Sequence, residues 1–240
     1  MKMSKPDIVY FVKESRVNPE LTYSLRSVVE NFRAGGRVVF YGGCPDNLQP
    51  DKHVAVKRDF GIRKWYRVRH VMLEACNDDD LTEDFWLFND DFFVLRPVET
   101  MEPTYTKTIE YTVEKMVARD GFANEYAKRM THCADTLRSA GCDTLNYAVH
   151  KPMLVNRKKM REVLEKFPKE PMLRALYGNY WRVGGRFDRD CKIRGMTLGR
   201  YNESLDFVST DDASFAEGDI GKLLRELFDR PCKYETHTVY

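Results

Sequence analysis

This sequence predicts an α/β fold: a single domain with a mostly parallel central sheet and a helical insertion. Three observations carry that expectation. Short β-branched and aromatic runs at residues 8–12, 37–41, 53–56 and 85–88 alternate with helical periodicities over 18–32 and 63–76. At 240 residues the chain is one large domain, or one domain with an elaboration. The fourth run ends in charge, because FWLFNDDFFVLRPV (85–98) puts Asp90 and Asp91 directly after it. Open α/β sheets bind ligands beyond the carboxyl ends of their strands.

The elements follow in order. Residues 8–12 read as a buried first strand. Asn18 is suited to N-cap the next helix and Pro19 to open it. Leu21, Leu25, Val28, Val29 and Phe32 recur at helical spacing, and Ala34-Gly35-Gly36 ends the helix. A second strand over 37–41 closes on the turn signal Gly42-Gly43-Cys44-Pro45-Asp46. A third strand over 53–56 precedes an amphipathic helix over 63–76, with Trp65, Val68, Met72 and Leu73 on one face. The strand over 85–88 completes a β-α-β-β-α-β order. Residues 99–146 form the insertion, with helices near 108–116 and 121–139. The remaining section, 147–240, holds a short strand at 147–149 and a helix over 158–167 interrupted by Pro168 and Pro171. A strand over 205–208 and a terminal helix over 221–228 close the chain. No internal repeat or low-complexity segment is present.

Composition excludes some classes. No apolar run approaches the roughly 18–20 residues that span a bilayer. The apolar start at 8–12 is too short for a signal-peptide core. The six cysteines form no CxxC pair, so zinc-ribbon and thioredoxin-like readings fail, and reduced thiols in a cytoplasmic protein are expected. Net charge is +2, unevenly spread. Residues 151–200 hold 14 basic and 5 acidic residues, which reads either as a polyanion-binding surface or as a solvated helical face. There is no GxxxxGK[ST], no GxGxxG after a strand and no GxSxG.

Four constellations could carry chemistry. Asn89-Asp90-Asp91 presents two carboxylates amid aromatic residues. That is costly unless a cation compensates them, and Mg²⁺ or Mn²⁺ favours such hard oxygen ligands. Adjacent strand residues face opposite ways, so the pair cannot flank one bond as glycosidase acids do. His150 follows an apolar run. It is a metal ligand, a phosphate donor, a general base or a structural histidine. Asp211-Asp212 also follows a β-like run and reads either as a site or as a helix N-cap. Finally, Val12, Lys13, Glu14 and Arg16 lie where the first strand ends, a usual nucleotide position. Arg26 follows on the helix, where it could face phosphate or pair with Glu30.

Together, NPELTYSLRSV (18–28) and FWLFNDDFFVLRPV resemble the central region of the Stealth family of sugar-phosphate transferases. The shared residues are Glu20, Tyr23, Ser24, Leu25, Arg26, Ser27, Asn89, Asp90, Asp91, Phe92, Phe93 and Pro97. His150 with Pro152 resembles that family's HxP region, and FVSTDDASF (207–215) its last region. The resemblance implies a GT-A-like, Rossmann-like core. In it residues 1–98 bind a nucleotide sugar and 147–240 form the acceptor side. Asp90 and Asp91, with His150, would hold a divalent metal. Asn89, Asp90 and the loop after the first strand would bind the donor, and His150, Asp211 and Asp212 would be catalytic.

The opening FVKESRVNP departs from the family's WVDGSD-like motif, so the transferred group is a sugar or a sugar phosphate. Small proteins of this pattern also resemble bacteriophage glycosyltransferases, which would place the chain in the host cytoplasm. The expected activity is therefore metal-dependent transfer from a nucleotide sugar to the hydroxyl of a glycan. The alternatives are transfer to 5-hydroxymethylpyrimidine DNA, which the basic block at 151–200 would suit, with Tyr177, Tyr180, Trp181 and Phe187 either stacking on bases or, the favoured reading, belonging to the core, and a non-catalytic nucleotide-sugar-binding module.

Overall fold

The structure, a computed structural model, describes residues 5–56 and 64–236. Arg63 and the Trp65 side chain, expected on the second helix, lie outside the described part. The chain begins β1 (Asp7–Val12), α1 (Pro19–Asn31), β2 (Val38–Gly42), β3 (Lys52–Val54), α2 (Lys64–Asn77), β4 (Asp84–Phe88) and β5 (Phe92–Val94). It continues through β6 (Thr104–Tyr105), α3 (Ile109–Asp120), α4 (Glu125–Ser139), β7 (Met153–Asn156), α5 (Arg157–Lys166) and α6 (Leu173–Tyr180). It ends with β8 (Arg186–Phe187), β9 (Lys192–Ile193), β10 (Phe207–Thr210), α7 (Asp212–Ala216) and α8 (Asp219–Leu227).

The main sheet has the order β3-β2-β1-β4-β7. Its first four strands are mutually parallel, and β7 runs antiparallel to β4. Both faces are covered, so its strands read as continuous apolar runs rather than alternating ones. Val9, Phe85, Leu87 and Val155 pack against α2, α5 and α6 through Met72, Val163 and Leu176. Ile109, Met130 and Leu137 of the 99–146 segment join that same core. On the other face, Tyr10, Phe40, Trp86 and Phe88 meet Leu21, Leu25, Val28 and Phe32 of α1.

A second sheet, β5-β10-β9, carries the residues that follow the Asp pair. One side of β5 pairs antiparallel with β10. Its other side meets buried polar side chains of α1 instead of a strand. Ser24 Oγ donates to Phe92 O at 2.5 Å, Ser27 Oγ accepts from Val94 N at 3.0 Å, and Asn31 Nδ2 donates to Val94 O at 2.9 Å. An edge strand leaves backbone groups unpaired, and here helix side chains pair them. Tyr10 OH closes the network on Ser24 Oγ at 2.9 Å.

Several boundaries differ from expectation. Residues 147–149 are irregular, and the chain re-enters the sheet only at Met153. The third strand is Lys52–Val54, the strand expected at 205–208 is Phe207–Thr210, and the last helix begins at Asp219. Gly121 does not begin a helix. It is the left-handed C-cap of α3 (φ 77°), and Asn124 caps α4 separately. Pro168 and Pro171 do end α5, but they also precede α6, which the sequence reading missed. The short strands β5, β6, β8 and β9 and the helix α7 were missed too, because two- to five-residue elements show no measurable period. All six cysteines are free thiols. No helix among the described residues is long and apolar enough to cross a membrane.

The side-chain pairing of β5 has a measurable consequence. Ser27→Ala and Asn31→Ala should each cost about 1–3 kcal/mol, the penalty for a stranded buried backbone group. Val29→Ala, on the exposed face of α1, should stay within about 0.5 kcal/mol of the parent. Urea denaturation of the three variants measures the difference.

Candidate active site at the strand-order reversal

The sheet order runs outward from β1 in both directions, with β2 on one side and β4 on the other. Such a reversal opens a crevice at the carboxyl ends of those strands. Val12 pairs with Gly42, so β1 and β2 end level, while Phe88, the last residue of β4, lies opposite Tyr10, two residues earlier. The loop after β1 presses on the glycine turn after β2. Gly43 N donates to Val12 O at 2.8 Å, and a Cβ at Gly43 would stand 2.7 Å from Glu14 Cα. Lys13, Glu14 and Arg16 are exposed here, and Arg16 Nε pairs with Asp46 Oδ2 at 3.0 Å. An open cavity of about 340 Å³ is lined by Glu14, Ser15, Arg16, Cys44 and Asp46.

Asn89, Asp90 and Asp91 form the link from β4 to β5. Asn89 is exposed, Asp90 half-buried and Asp91 buried at 9% exposure. Asn18 caps α1 through its Oδ1, and its Nδ2 donates to Asp90 Oδ2 at 2.9 Å. Asp91 Oδ2 accepts from Lys192 Nζ at 2.8 Å and from Ser209 Oγ at 2.9 Å. Asp91 Oδ1 is shielded from solvent and has no hydrogen-bond partner. The β5–β10 register, Phe92 against Ser209, brings the end of β10 beside Asp91, and Thr210 N donates to Asp91 O. Thr210 Oγ1 in turn donates to Glu20 Oε1 at 2.9 Å.

Carboxylates therefore crowd together. Burial pushes the Glu20 carboxyl up to about 7, helped by the charges of Asp90, Asp91 and Asp212 against the Thr210 hydrogen bond. Burial also raises Asp90, with Asp91 and Asp212 adding and Asn18 opposing. Arg174 supplies positive charge from the other side. It packs over the Phe92 ring at 5.3 Å, and its guanidinium donates to Leu87 O at 3.2 Å and Asn89 Oδ1 at 3.4 Å. Burial pulls it down to about 10, with Asp91 opposing.

His150 meets the Phe92 ring edge to face, centroids 6.4 Å apart. Its Nδ1 lies 2.7 Å from Asp190 Oδ1. Burial alone would raise the Asp190 carboxyl, but His150 and two backbone N–H groups hold it below its ordinary value. Among the described residues Nε2 has no hydrogen-bond partner, so a neutral ring with its proton on Nδ1 leaves Nε2 as an acceptor.

Two residues left open between a site and a structural role have structural partners. Asp211 is the N-cap of α7. Its Oδ1 accepts from Ser214 N at 2.9 Å while Ser214 Oγ accepts from Asp211 N, a reciprocal capping box. A carboxylate so committed is a poor proton acceptor, whereas its neighbour Asp212 is exposed and close enough to act on Glu20 and Asp90. Arg26 is bound elsewhere. It grips Glu235 through two hydrogen bonds of 2.7 Å and donates to Phe228 O and Asp229 O, tying α1 to the C-terminal segment instead of facing a phosphate or Glu30.

Sequence reasoning gave no site role to Glu20, Arg174, Asp190, Lys192 or Ser209. Glu20 stood in the motif that carried the resemblance and was passed over as part of a helix start. The other four have no local signal, since tertiary pairing alone brings them to Asp91 and His150.

Among the described residues no three His, Cys, Asp or Glu side chains converge as a metal cage. Mg²⁺ seldom uses one. It is held by one or two carboxylates together with waters and substrate phosphates. The orphaned Oδ1 of Asp91, the half-buried Asp90 and the free Asp212 fit such an ion. No family model matches the sequence, and no curated protein matches it.

The raised Glu20 carboxyl makes stability depend on pH. The folded state holds this proton more tightly than the unfolded state, so the contribution is full below about 4.5 and declines as pH rises to about 7. Glu20→Gln should remove that slope and gain roughly 2–3 kcal/mol over the parent at pH 8, with no gain at pH 4. Chemical denaturation of both proteins across that range measures it.

Proposed function

We propose that this chain is a metal-assisted transferase of GT-A-like fold. It moves a sugar, with or without its phosphate, from a nucleotide-sugar donor to an acceptor hydroxyl. The observation that carries the reading is the buried Asp91 at the strand-order reversal, whose Oδ1 is left unpaired while Asp90, Glu20 and Asp212 lie near enough to act on one another electrostatically. The parallel β3-β2-β1-β4 order supports it, as does the resemblance of the YSLRS and NDDFF segments to the Stealth family.

In this reading the loop of Val12, Lys13, Glu14 and Arg16, with the Gly42-Gly43 turn, receives the nucleoside at the cavity beside Asp46. Asp91 and Asp90 would hold Mg²⁺ or Mn²⁺, which when bound would neutralise the donor's diphosphate and so the nucleotide that leaves, a diphosphate if the sugar moves alone and a monophosphate if its phosphate moves with it. Arg174, half-buried beside Asn89, adds fixed positive charge that costs no reorganisation as the bond breaks. His150 receives the acceptor proton on Nε2, and Asp190 fixes the ring and stabilises the imidazolium that forms. Glu20 and Asp212 keep the crevice polar and shape the metal's surroundings.

The direct test incubates a panel of nucleotide sugars with Mg²⁺ or Mn²⁺ and identifies the products by mass spectrometry: nucleoside diphosphate is released if the sugar alone moves, nucleoside monophosphate if its phosphate moves with it. Turnover is expected with one donor and is lost on chelation. Asp91→Asn, which keeps the Ser209 hydrogen bond, should lower the rate by on the order of 10³-fold with the fold intact. Full activity of that variant under chelation would sink the mechanism.

A second reading, DNA as acceptor, is favoured by the exposed Arg186, Arg189, Arg194 and Arg200 and the exposed ring of Phe187, all within one stretch of the chain. Retardation of duplex DNA that weakens steeply between about 50 and 200 mM salt is the expected sign of it. A glycan enzyme would show no such salt-dependent retention.

A further inference from the structure

Lys192 stands where a cation bound to Asp91 would have to stand. Its ammonium lies 2.8 Å from Asp91 Oδ2, and Ser209 Oγ shares that oxygen at 2.9 Å. The second oxygen is buried and unpaired. Asp91 thus offers one oxygen already taken and one that faces no donor. A divalent ion on either would lie within a few ångströms of the ammonium, and like charges that close repel strongly away from bulk water.

The backbone of Lys192 cannot retreat. It pairs with Ser209 in the β9–β10 ladder, and its N–H reaches Asp190 Oδ1 at 3.3 Å. Only the side chain is free to move, and lysine carries its compact charge on a flexible four-carbon stem. Asp190 is committed to His150 and Asp211 to the α7 cap, and in this reading Asp90 and Asp212 are drawn to the metal itself. An ammonium released from Asp91 therefore needs a new anion, and a diphosphate arriving with the metal supplies one.

We propose that Lys192 is a displaceable internal counter-ion. It neutralises Asp91 when no donor is bound, yields the carboxylate to a divalent cation, and then pairs with the donor's diphosphate. This rests on the reading of the crevice as a nucleotide-sugar site. It gives one residue two opposing effects: Lys192 weakens binding of the free metal and strengthens binding of the metal–diphosphate.

The test measures both without turnover. Binding of Mn²⁺ alone is followed by loss of the free-ion paramagnetic resonance signal. Binding of pyrophosphate at saturating Mn²⁺ is followed by calorimetry. Lys192→Met and Lys192→Gln should each bind Mn²⁺ about tenfold more tightly than the parent and Mn²⁺-pyrophosphate about tenfold more weakly, the size of one lost or gained charge contact. Lys192→Arg keeps the charge and should bind Mn²⁺ no more tightly than the parent. Asp91→Asn should abolish the Mn²⁺ site in both backgrounds.

Equal Mn²⁺ affinities in parent and Lys192→Met would overturn the proposal, as would unchanged pyrophosphate binding. A parent that takes no Mn²⁺ even with pyrophosphate would overturn it too, by showing Lys192 to be a permanent counter-ion. If the opposed shifts appear but no nucleotide sugar is turned over, the counter-ion stands and the transferase reading falls. Turnover without the shifts decides the reverse.

Discussion

The site depends on how β5 is held. This three-residue strand follows Asp91 directly, and its backbone is fixed on both sides by different means: β10 on one and the side chains of Ser24, Ser27 and Asn31 on the other. Neither would suffice alone, because a three-residue strand gains too few ladder bonds to offset the entropy of ordering it. The buried serines and asparagine convert α1 from a covering helix into a surrogate neighbouring strand. That pins the β4–β5 link, and with it the direction of the Asp91 carboxylate. The same pairing delivers Ser209 and Thr210, so the acidic segments at 90–91 and 211–212 meet across a single ladder.

The second constraint is charge. Four carboxylates near one crevice are unfavourable away from bulk water, and the protein offsets them only partly, with Lys192, Arg174 and hydrogen bonds from Asn18, Ser209 and Thr210. The residual imbalance appears as raised carboxyl groups at Glu20 and Asp90. A site poised this way gains most from an added cation, and such partly compensated pairs are found preferentially where ligands bind. The His150–Asp190 pair is linked to Asp91 through Lys192, whose N–H reaches Asp190 and whose ammonium reaches Asp91.

How far the sequence was legible varies by residue. The first strand and α1 were read nearly in place, because the strand is an unbroken β-branched and aromatic run, Asn18-Pro19 is a strong start signal and the helix has a clear period. The Asp pair was legible as a strand end bearing unexplained charge. Asp211 was open between a cap and a site, and the capping box at Ser214 was decided by local backbone geometry that composition does not show. Arg26 looked like a phosphate ligand, yet its partner is Glu235, far along the chain. The stretch at 147–149 looked like a strand, yet its apolar residues pack without joining the sheet, since burial alone does not supply a pairing edge.

By itself the sequence determined an α/β chain whose fourth apolar run ends in Asn89-Asp90-Asp91, because strand and helix periods and caps are local properties. Only the tertiary structure decided what surrounds those carboxylates. Asn18 and Glu20 come from the start of α1, Arg174 from α6, Lys192 from β9 and Ser209 from β10, and no spacing along the chain relates these four elements. Long-range pairing, chiefly β5 with β10 and β9 with β10, sets which of them face Asp91. The charge balance of the site follows from that pairing, because burial and hydrogen bonding fix how strongly each group feels its neighbours.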